Sequence, residues 1–144
     1  ADYGLPRVQL YHPERTRGSL RCYYRHHAHD DPFFWPGLTD ITAWVDFTRV
    51  AEAAERAGLQ VQGFTTQMAF LAGGGIEQAM SRALETAKPA SSAMATTEQA
   101  QLASGLRRLL MPGEMGESVK FLMLGRGDEI DLSAFALRDL RHTL

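Results

Sequence analysis

The sequence has a single cysteine, no long apolar run and almost no net charge. Cys22 has no partner within the 144 residues, so an internal disulfide is excluded, and a free thiol suits a reducing compartment. No stretch approaches the roughly 20 apolar residues that a membrane-spanning helix requires. A net charge of −2 gives no overall attraction to nucleic acid or to an anionic membrane. We therefore expect no membrane partner, and a cytoplasmic location if the source is prokaryotic.

What the sequence does contain indicates a folded domain. Hydrophobic residues make up 44% of the chain and charged residues 22%, which is typical of a globular protein. A chain of this length can bury one real hydrophobic core. The first residues, Ala1-Asp2-Tyr3-Gly4, have the pattern of the end of a buried strand that runs into a loop. We expect the chain to be a piece of a longer protein.

The chain divides into an irregular first part and a regular remainder. Prolines and glycines interrupt residues 1–40, where only Ser19–Tyr24 resembles a strand, but the aromatic residues there argue against disorder. From Asp46, which can cap a helix, apolar residues recur at helical spacing as far as Gly58. The pattern then predicts a strand at Leu59–Phe64, a helix begun by Thr65 or Thr66, a helix at Ile76–Ala87, a mobile linker at Lys88–Thr97, a helix at Thr97–Met111, a strand at Ser118–Leu124 and a short helix within Leu132–Leu140. Helices that alternate with strands in this way predict an α/β sheet with an inserted helical pair.

The stretch RHHAHDDPFFWPG, residues 25–37, is rich in histidine and aspartate. His26 and His29 are three residues apart, and closely spaced histidines often bind zinc. A structural zinc site normally needs four protein ligands, however, and the sequence has no second ligand cluster. The adjacent aspartates and proline are typical of a turn whose side chains bond to its own backbone. We therefore predict no metal site, while a role in proton transfer stays open.

Three consecutive glycines, Gly73–Gly75, precede the helix at Ile76. Phosphate-binding loops also lie before helices, but a nucleotide-binding loop should follow a strand. These glycines follow a predicted helix, so we expect them to break and redirect the chain.

Arginines alternate with tyrosines between Arg7 and Arg25. This pattern is typical of a groove that binds single-stranded nucleic acid. Arginine stems also cover apolar surface, so the pattern fits an ordinary surface as well. A non-catalytic module that binds protein or nucleic acid through this basic, aromatic loop is our alternative hypothesis, although nucleic acid is the less favoured partner. A steep dependence of binding on salt would support it.

The stretch DITAWVDF, residues 40–47, carries two acids and two aromatic residues. Asp46 has a simple structural role as a helix N-cap, and Asp40 has none. If the segment is extended, Asp40, Thr42, Trp44 and Asp46 share one face because side chains alternate along a strand. Such a face could present carboxylates to a cationic substrate.

Several blocks of the sequence, in order, resemble the C-terminal part of the MidA-like class I methyltransferases. They are DYG, YHPERTRGSLRCYYRHHAHDDPF, PGLTDITAWVDFT, GFTTQMAFL and SVKFLMLGRG. The resemblance runs nearly end to end and leaves out only the region of Lys88–Thr97. These enzymes use S-adenosylmethionine, and their mitochondrial members methylate an arginine of a respiratory complex I subunit. The chain departs from the family at His27, where arginine is common, and at Trp44, where histidine is frequent, so neither residue is given a catalytic role.

The resemblance implies the C-terminal part of a Rossmann-like sheet whose last strand is antiparallel. Ala1–Tyr3 would end the fifth strand, Asp46–Gly58 would form a crossover helix, and Leu59–Phe64 and Ser118–Leu124 would be the sixth and seventh strands. This divides the partial methyltransferase domain into a loop region on the active-site side (1–45), a helix and strand (46–65), a helical insertion (66–112), the last strand (117–127) and a tail (128–144).

The resemblance also implies partners. The glycine-rich loop and the acid that hold S-adenosylmethionine belong to earlier strands of the family fold, so the cofactor-binding residues are unknown. We expect little activity from the 144 residues alone. The expected partners are a protein substrate, the N-terminal half of the same domain and a second copy of the chain.

A methyltransferase that acts on arginine must hold a guanidinium group. That group is a poor nucleophile while protonated, and a carboxylate can hold it through two hydrogen bonds. The candidate catalytic residues are Asp2 first, then Asp40 and Asp46, with His26 and His29 as proton relays. The candidate substrate-binding residues are Tyr3, Arg25 and Thr42. The alternative leaves Asp46 as a helix cap and the histidines as parts of a polar loop.

Overall fold

The structure, a computed structural model, describes residues 1–25, 27–86, 92–128 and 133–144. Its strands are β1 (Asp2–Leu5), β2 (Leu20–Tyr24), β3 (His27–His29), β4 (Asp40–Ala43), β5 (Val45–Asp46), β6 (Gln60–Thr66) and β7 (Val119–Gly125). Its helices are α1 (Arg7–Leu10), α2 (Phe47–Arg56), α3 (Gln67–Gly73), α4 (Ile76–Thr86), α5 (Ser92–Leu110), α6 (Met115–Ser118) and α7 (Ser133–Ala136), followed by a 3₁₀ turn at Arg141–Thr143.

Four strands form the main sheet, in the order β5-β1-β7-β6. β1 runs parallel to β5, with Gly4 opposite Val45. β7 runs antiparallel to both β1 and β6. The predicted α/β fold with an antiparallel last strand is therefore confirmed.

The core lies where α2 packs against this sheet. Asp46 caps α2 by accepting a hydrogen bond from the Arg49 amide at 2.9 Å, as a helix N-cap should. Phe47, Ala51 and Ala54 follow at helical spacing and are buried. The ring of Phe47 lies 5.2 Å from that of Phe64, centroid to centroid, and Phe64 is fully buried.

Strand β6 carries a bulge that positions the end of the chain. The register of β6 against β7 shifts between Val61 and Gly63, and Gly63 has no side chain, which leaves room for the ring of Phe135. That ring also meets Phe70 edge to face at 5.3 Å. Beyond it, the Leu140 amide donates to the Phe64 carbonyl at 2.8 Å. The C-terminal segment is thereby bound to β6.

Residues 1–40 are more regular than the sequence predicts. The expected strand at Ser19–Tyr24 is found as β2, but it belongs to a second antiparallel sheet of order β3-β2-β4. The prediction of an irregular region is wrong because strands this short pair with residues distant in the chain, as Leu20 does with Ala43. Strand β1 also continues to Leu5, beyond the Ala1–Tyr3 that the sequence predicts as the end of a strand.

The helical part follows the sequence prediction except at one point. Thr66 caps α3, and the chain turns at Gly74 and Gly75 as expected. Of the predicted linker, residues 88–91 lie outside the described residues, as do Ala87 and Leu132. The remainder of the linker, from Ser92, is the start of α5. That part of the prediction is wrong because its small residues include alanine, the best helix former.

Candidate functional site

A pocket of about 690 Å³ lies where the small sheet meets β1. Acidic, basic and aromatic side chains line it together. Its lining consists of Asp2, Tyr3, Arg21, Tyr23, Arg25, Leu38, Asp40, Thr42, Ala43 and Trp44. The pocket has the size of a ligand site and combines apolar walls with a few charged groups.

The alternation of side chains along β2 and β4 builds one wall of this pocket. Arg21 lies opposite Thr42, and Tyr23 lies opposite Asp40, so these four side chains share a face. The intervening residue of β2, Cys22, is fully buried. The period of two thus separates the pocket face of the small sheet from its packed face.

The charged groups of the pocket differ in whether they already have partners. The Arg21 guanidinium donates to Asp30 at 3.0 Å, and Arg17 donates to the other oxygen of the same carboxylate at 2.8 Å. Asp2 accepts a hydrogen bond from the neighbouring Tyr3 amide at 2.8 Å. Asp2 and Asp40 both lie on exposed backbone segments. Both can therefore receive a cationic group from solution.

Trp44 forms the junction between the two sheets. Its amide donates to the Ser19 carbonyl at 3.0 Å, which closes the small sheet beyond Ala43. The guanidinium carbon of Arg15 lies 5.1 Å from the centroid of the Trp44 ring, a cation–π geometry. These contacts fix the indole ring in the pocket wall.

Five of the eight candidate side chains from the sequence line this pocket. They are Asp2, Tyr3, Arg25, Asp40 and Thr42. Two further candidates, Asp46 and His29, do not appear in its lining. His26 lies outside the described residues.

Asp46 does not share the face of Asp40, Thr42 and Trp44. The expectation of a common face is wrong because β4 ends at Ala43 and the chain enters the main sheet at Val45. In addition to capping α2, the Asp46 carboxylate lies 3.5 Å from the Nε of Arg7. Asp46 thus has the structural role that the sequence offered as its alternative.

Arg7 also joins α1 to α2 through Glu52. Its two terminal nitrogens donate to the two carboxylate oxygens at 2.7 and 2.8 Å. The hydrogen bonds from Arg7 lower the pKa of Glu52, and those to Glu52 raise the pKa of Arg7. This paired geometry holds α1 and α2 together.

His29 lies in a different, smaller pocket of about 360 Å³. Its ring packs edge to face against Phe34 at 5.2 Å. Both ring nitrogens are buried and have no hydrogen-bond partner among the described residues. Within the same part of the chain, no group of three or more His, Cys, Asp or Glu side chains is arranged to bind a metal. The structure therefore does not bring His29 to the two pocket carboxylates.

The candidate set from the sequence leaves out half of the pocket lining. Arg21, Tyr23 and Trp44 follow from the same period of two as Thr42, once β2 and β4 are known to pair. Leu38 and Ala43 carry no comparable signal, because single apolar residues in a turn or at a strand end occur in every protein.

The part of the chain that forms this pocket is similar to known proteins. Residues 1–65 match the model of a family described as "Putative S-adenosyl-L-methionine-dependent methyltransferase". These residues include every element that lines the pocket. The chain also superposes with a TM-score of 0.86 on a methyl transferase candidate from Burkholderia thailandensis that was crystallised with S-adenosyl-homocysteine, at 38% identity over 99% of this chain.

The chain has a class I methyltransferase-like fold. A second structure from Burkholderia thailandensis, of an uncharacterised protein of the same superfamily, matches this fold with a TM-score of 0.83 at 40% identity over 99% of the chain. The chain spans about a third of the length of these two proteins, 35% and 36%. A search of curated proteins finds no match. In the described residues, no helix of this fold is long and apolar enough to cross a membrane.

Three of the strand-to-helix connections in the described residues lack the glycine-rich loop of a nucleotide cradle. Such a cradle needs a glycine-rich loop between a strand and a helix. In the described part of the chain, β1 leads into α1 through Pro6, whereas β5 and β6 lead directly into α2 and α3. Gly73 ends α3, and Gly74 and Gly75 follow this helix. The donor set of the pocket, with its two carboxylates, suits a cationic acceptor better than an adenosine.

Proposed function

We propose that this chain forms the acceptor side of an S-adenosylmethionine-dependent methyltransferase that methylates an arginine side chain of a protein. The family match over residues 1–65 and the likeness to a structure with bound S-adenosyl-homocysteine support methyl transfer. The resemblance of the sequence to MidA-like enzymes supports a protein arginine, and it suggests a respiratory complex I subunit as the substrate protein.

The observation that carries the proposal is the pocket with two carboxylates. Asp2 comes from the main sheet and Asp40 from the small sheet, and both line the same cavity. Two carboxylates from different elements can hold a planar guanidinium through charge-assisted hydrogen bonds. Tyr3 and Trp44 add aromatic surface on which such a cation can stack.

Methyl transfer to arginine places two requirements on the acceptor site. It must orient one guanidinium nitrogen in line with the methyl group, and it must accept the proton that this nitrogen loses, because the protonated guanidinium is a poor nucleophile. Asp2 and Asp40 can do both, since an ionised carboxylate accepts hydrogen bonds and can take up a proton. When bound, S-adenosylmethionine supplies the methyl group from its sulfonium centre.

The basic, aromatic loop gains little support as a nucleic-acid surface. Arg7 is paired with Glu52, and both Arg17 and Arg21 are paired with Asp30. Arginines that already bind carboxylates contribute less to a phosphate-binding groove, because binding depends on unpaired positive charge.

The test is a methylation assay with the protein expressed from its complete gene. Arginine-containing peptides are incubated with isotopically labelled S-adenosylmethionine, and the modified residue is located by mass spectrometry. Asp2→Asn and Asp40→Asn should each lower kcat/KM by roughly 100-fold or more, the range typical of general acid–base groups. Both side chains are exposed, so the free energy of unfolding should change by no more than about 0.5 kcal/mol.

A matched control is Glu55→Gln, an exposed carboxylate on α2 outside the pocket lining. It should leave kcat/KM unchanged. Equal losses of activity and stability in the two aspartate variants would show that they act on the fold and not on the reaction. Methylation of lysine or of a small molecule, with no transfer to arginine, would refute the proposed substrate class.

A further inference from the structure

Arg25 lies at the tip of the hairpin that joins β2 to β3. Tyr24 pairs with His27, so Arg25 directly follows the last paired residue of β2. Arg25 has a positive φ of 47°, as the tight turns that match the twist of a hairpin require. Such a φ is disfavoured for side chains larger than asparagine. The backbone of the turn therefore fixes where the arginine side chain starts.

An aromatic stack then holds that side chain. The guanidinium carbon of Arg25 lies 5.4 Å from the centroid of the Tyr24 ring. The Tyr24 ring is in turn stacked with the ring of Trp35, at a centroid distance of 6.2 Å and an interplanar angle of 7°. Stacking uses the flat face of a guanidinium and leaves its N–H groups at the edge available to an acceptor.

Arg25 differs from its neighbour Arg21 in whether its positive charge is paired with a carboxylate. Arg21 is neutralised by Asp30 at 3.0 Å. Among the described residues, no carboxylate lies within ion-pair distance of Arg25, whose guanidinium lies over the Tyr24 ring. The pocket therefore offers two carboxylates for a cation and, at Arg25, a positive charge for an anion.

From this arrangement we infer that Arg25 binds a carboxylate of the substrate and so selects an arginine that has an acidic residue next to it in the chain. The inference rests on the proposed function, since it assumes that the reacting guanidinium occupies the carboxylates of the same pocket. A substrate of this kind presents one positive and one negative group a few ångströms apart. The pocket carboxylates bind the positive group, and Arg25 binds the negative one. Arg25 is a specificity-determining residue in this scheme, whereas Asp2 and Asp40 contact the reacting guanidinium.

The test compares two peptides that differ in a single charge. Both carry one arginine, an acetylated N-terminus and an amidated C-terminus, so that no terminal carboxylate contributes. One peptide has glutamate near the arginine and the other has glutamine at the same position. Fluorescence anisotropy with the protein expressed from its complete gene gives the ratio of their Kd values, and methyl transfer to each is measured separately.

The unchanged protein should bind the glutamate peptide about tenfold more tightly, the effect of one charge-assisted hydrogen-bonded pair. Arg25→Gln should bring the two Kd values within about twofold of each other. Arg25→Lys should keep part of the difference, because an ammonium keeps the charge but not the planar, two-pronged donor. Arg17→Gln is the control, since this exposed arginine in the turn before β2 lies outside the pocket lining, and it should leave the ratio unchanged.

The outcomes separate this inference from the proposed function. Equal binding of the two peptides, or a ratio that Arg25→Gln leaves intact, overturns the role of Arg25 even if both peptides are methylated. A ratio that depends on Arg25, without methylation of either peptide, supports the carboxylate site and refutes the proposed reaction. If neither peptide binds, both proposals are wrong. Circular dichroism spectra identical to that of the unchanged protein confirm that the variants are folded.

Discussion

Replacing Gly4 with alanine should destabilise the protein, because the space beside this residue is already filled. A Cβ atom at position 4 would lie 2.5 Å from Cε2 of Phe47 and 2.5 Å from the carbonyl oxygen of Val45. Neither neighbour can move freely. Phe47 is 4% exposed and packs against Phe64, and the Val45 carbonyl belongs to the strand paired with β1.

The size of the effect follows from two opposing contributions. Extra volume in a packed core typically costs about 1–3 kcal/mol. About 0.5–1 kcal/mol is regained, because alanine loses less conformational entropy than glycine on folding. The net loss should be about 1–2 kcal/mol, which corresponds to a fall in Tm of roughly 2–8 °C for a domain of this size.

Thermal and urea unfolding followed by circular dichroism measure this loss, and a second glycine provides the control. Gly105 lies within α5, and a Cβ atom there would have nothing within 4 Å. Gly105→Ala should therefore raise the free energy of unfolding by about 0.5–1 kcal/mol, the usual gain in helix propensity. The two substitutions add the same methyl group and should have opposite signs.

A double variant identifies the cause. If the clash with the ring is responsible, Gly4→Ala and Phe47→Leu together should cost less than the sum of their separate effects, because the smaller side chain makes room for the methyl group. The reasoning is refuted if Gly4→Ala is neutral or stabilising. It is also refuted if the two substitutions are strictly additive and Gly105→Ala destabilises to the same extent as Gly4→Ala.

Two further predictions concern ionised groups. The hydrogen bonds from Arg7 hold the pKa of Glu52 below its ordinary value. The ionised Glu52 therefore stabilises the fold above pH 4.5, and this stabilisation is lost as the pH falls through the lowered pKa. Glu52→Gln should be less stable than the unchanged protein near neutrality but equally stable in acid, and a difference that does not vary with pH in urea titrations would contradict this. Burial lowers the pKa of the Lys120 amine, so the unfolded chain binds more protons and the free energy of unfolding should rise with pH toward 10.5. Lys120→Met should lack that rise, and an identical pH dependence in both proteins would exclude the explanation.

The elements that the sequence predicts well are those whose signals are local. Helix α2 has a capping aspartate, an apolar stripe and the stop at Gly58, and it forms nearly where the pattern places it. Strand β7 has the apolar run FLML between polar and glycine-rich segments. Each of these signals lies within about a dozen residues, so no knowledge of the fold is needed to find it.

The small sheet and the pocket depend on pairing that no local pattern contains. Strand β2 must pair with β4 across the whole stretch 25–39, and all four residues of β4 are exposed. The alternation that predicts Asp40 and Thr42 on one face is sound, but it continues wrongly to Asp46 because the chain changes sheets at Trp44. Local periodicity predicts which residues share a face, whereas tertiary pairing decides where that face ends.

The change of sheets at Trp44 also restricts how the length of this segment can vary. A single residue separates the last residue of β4 from the first residue of β5, so an insertion or a deletion there has no loop to absorb it. One extra residue would either turn Asp40 and Thr42 away from the pocket or displace Asp46 from the start of α2, because side chains alternate along a strand. The turn at residues 33–38 has no such constraint from strand pairing. Length differences among relatives should therefore accumulate in that turn, while the spacing between the pocket carboxylate and the helix cap stays constant.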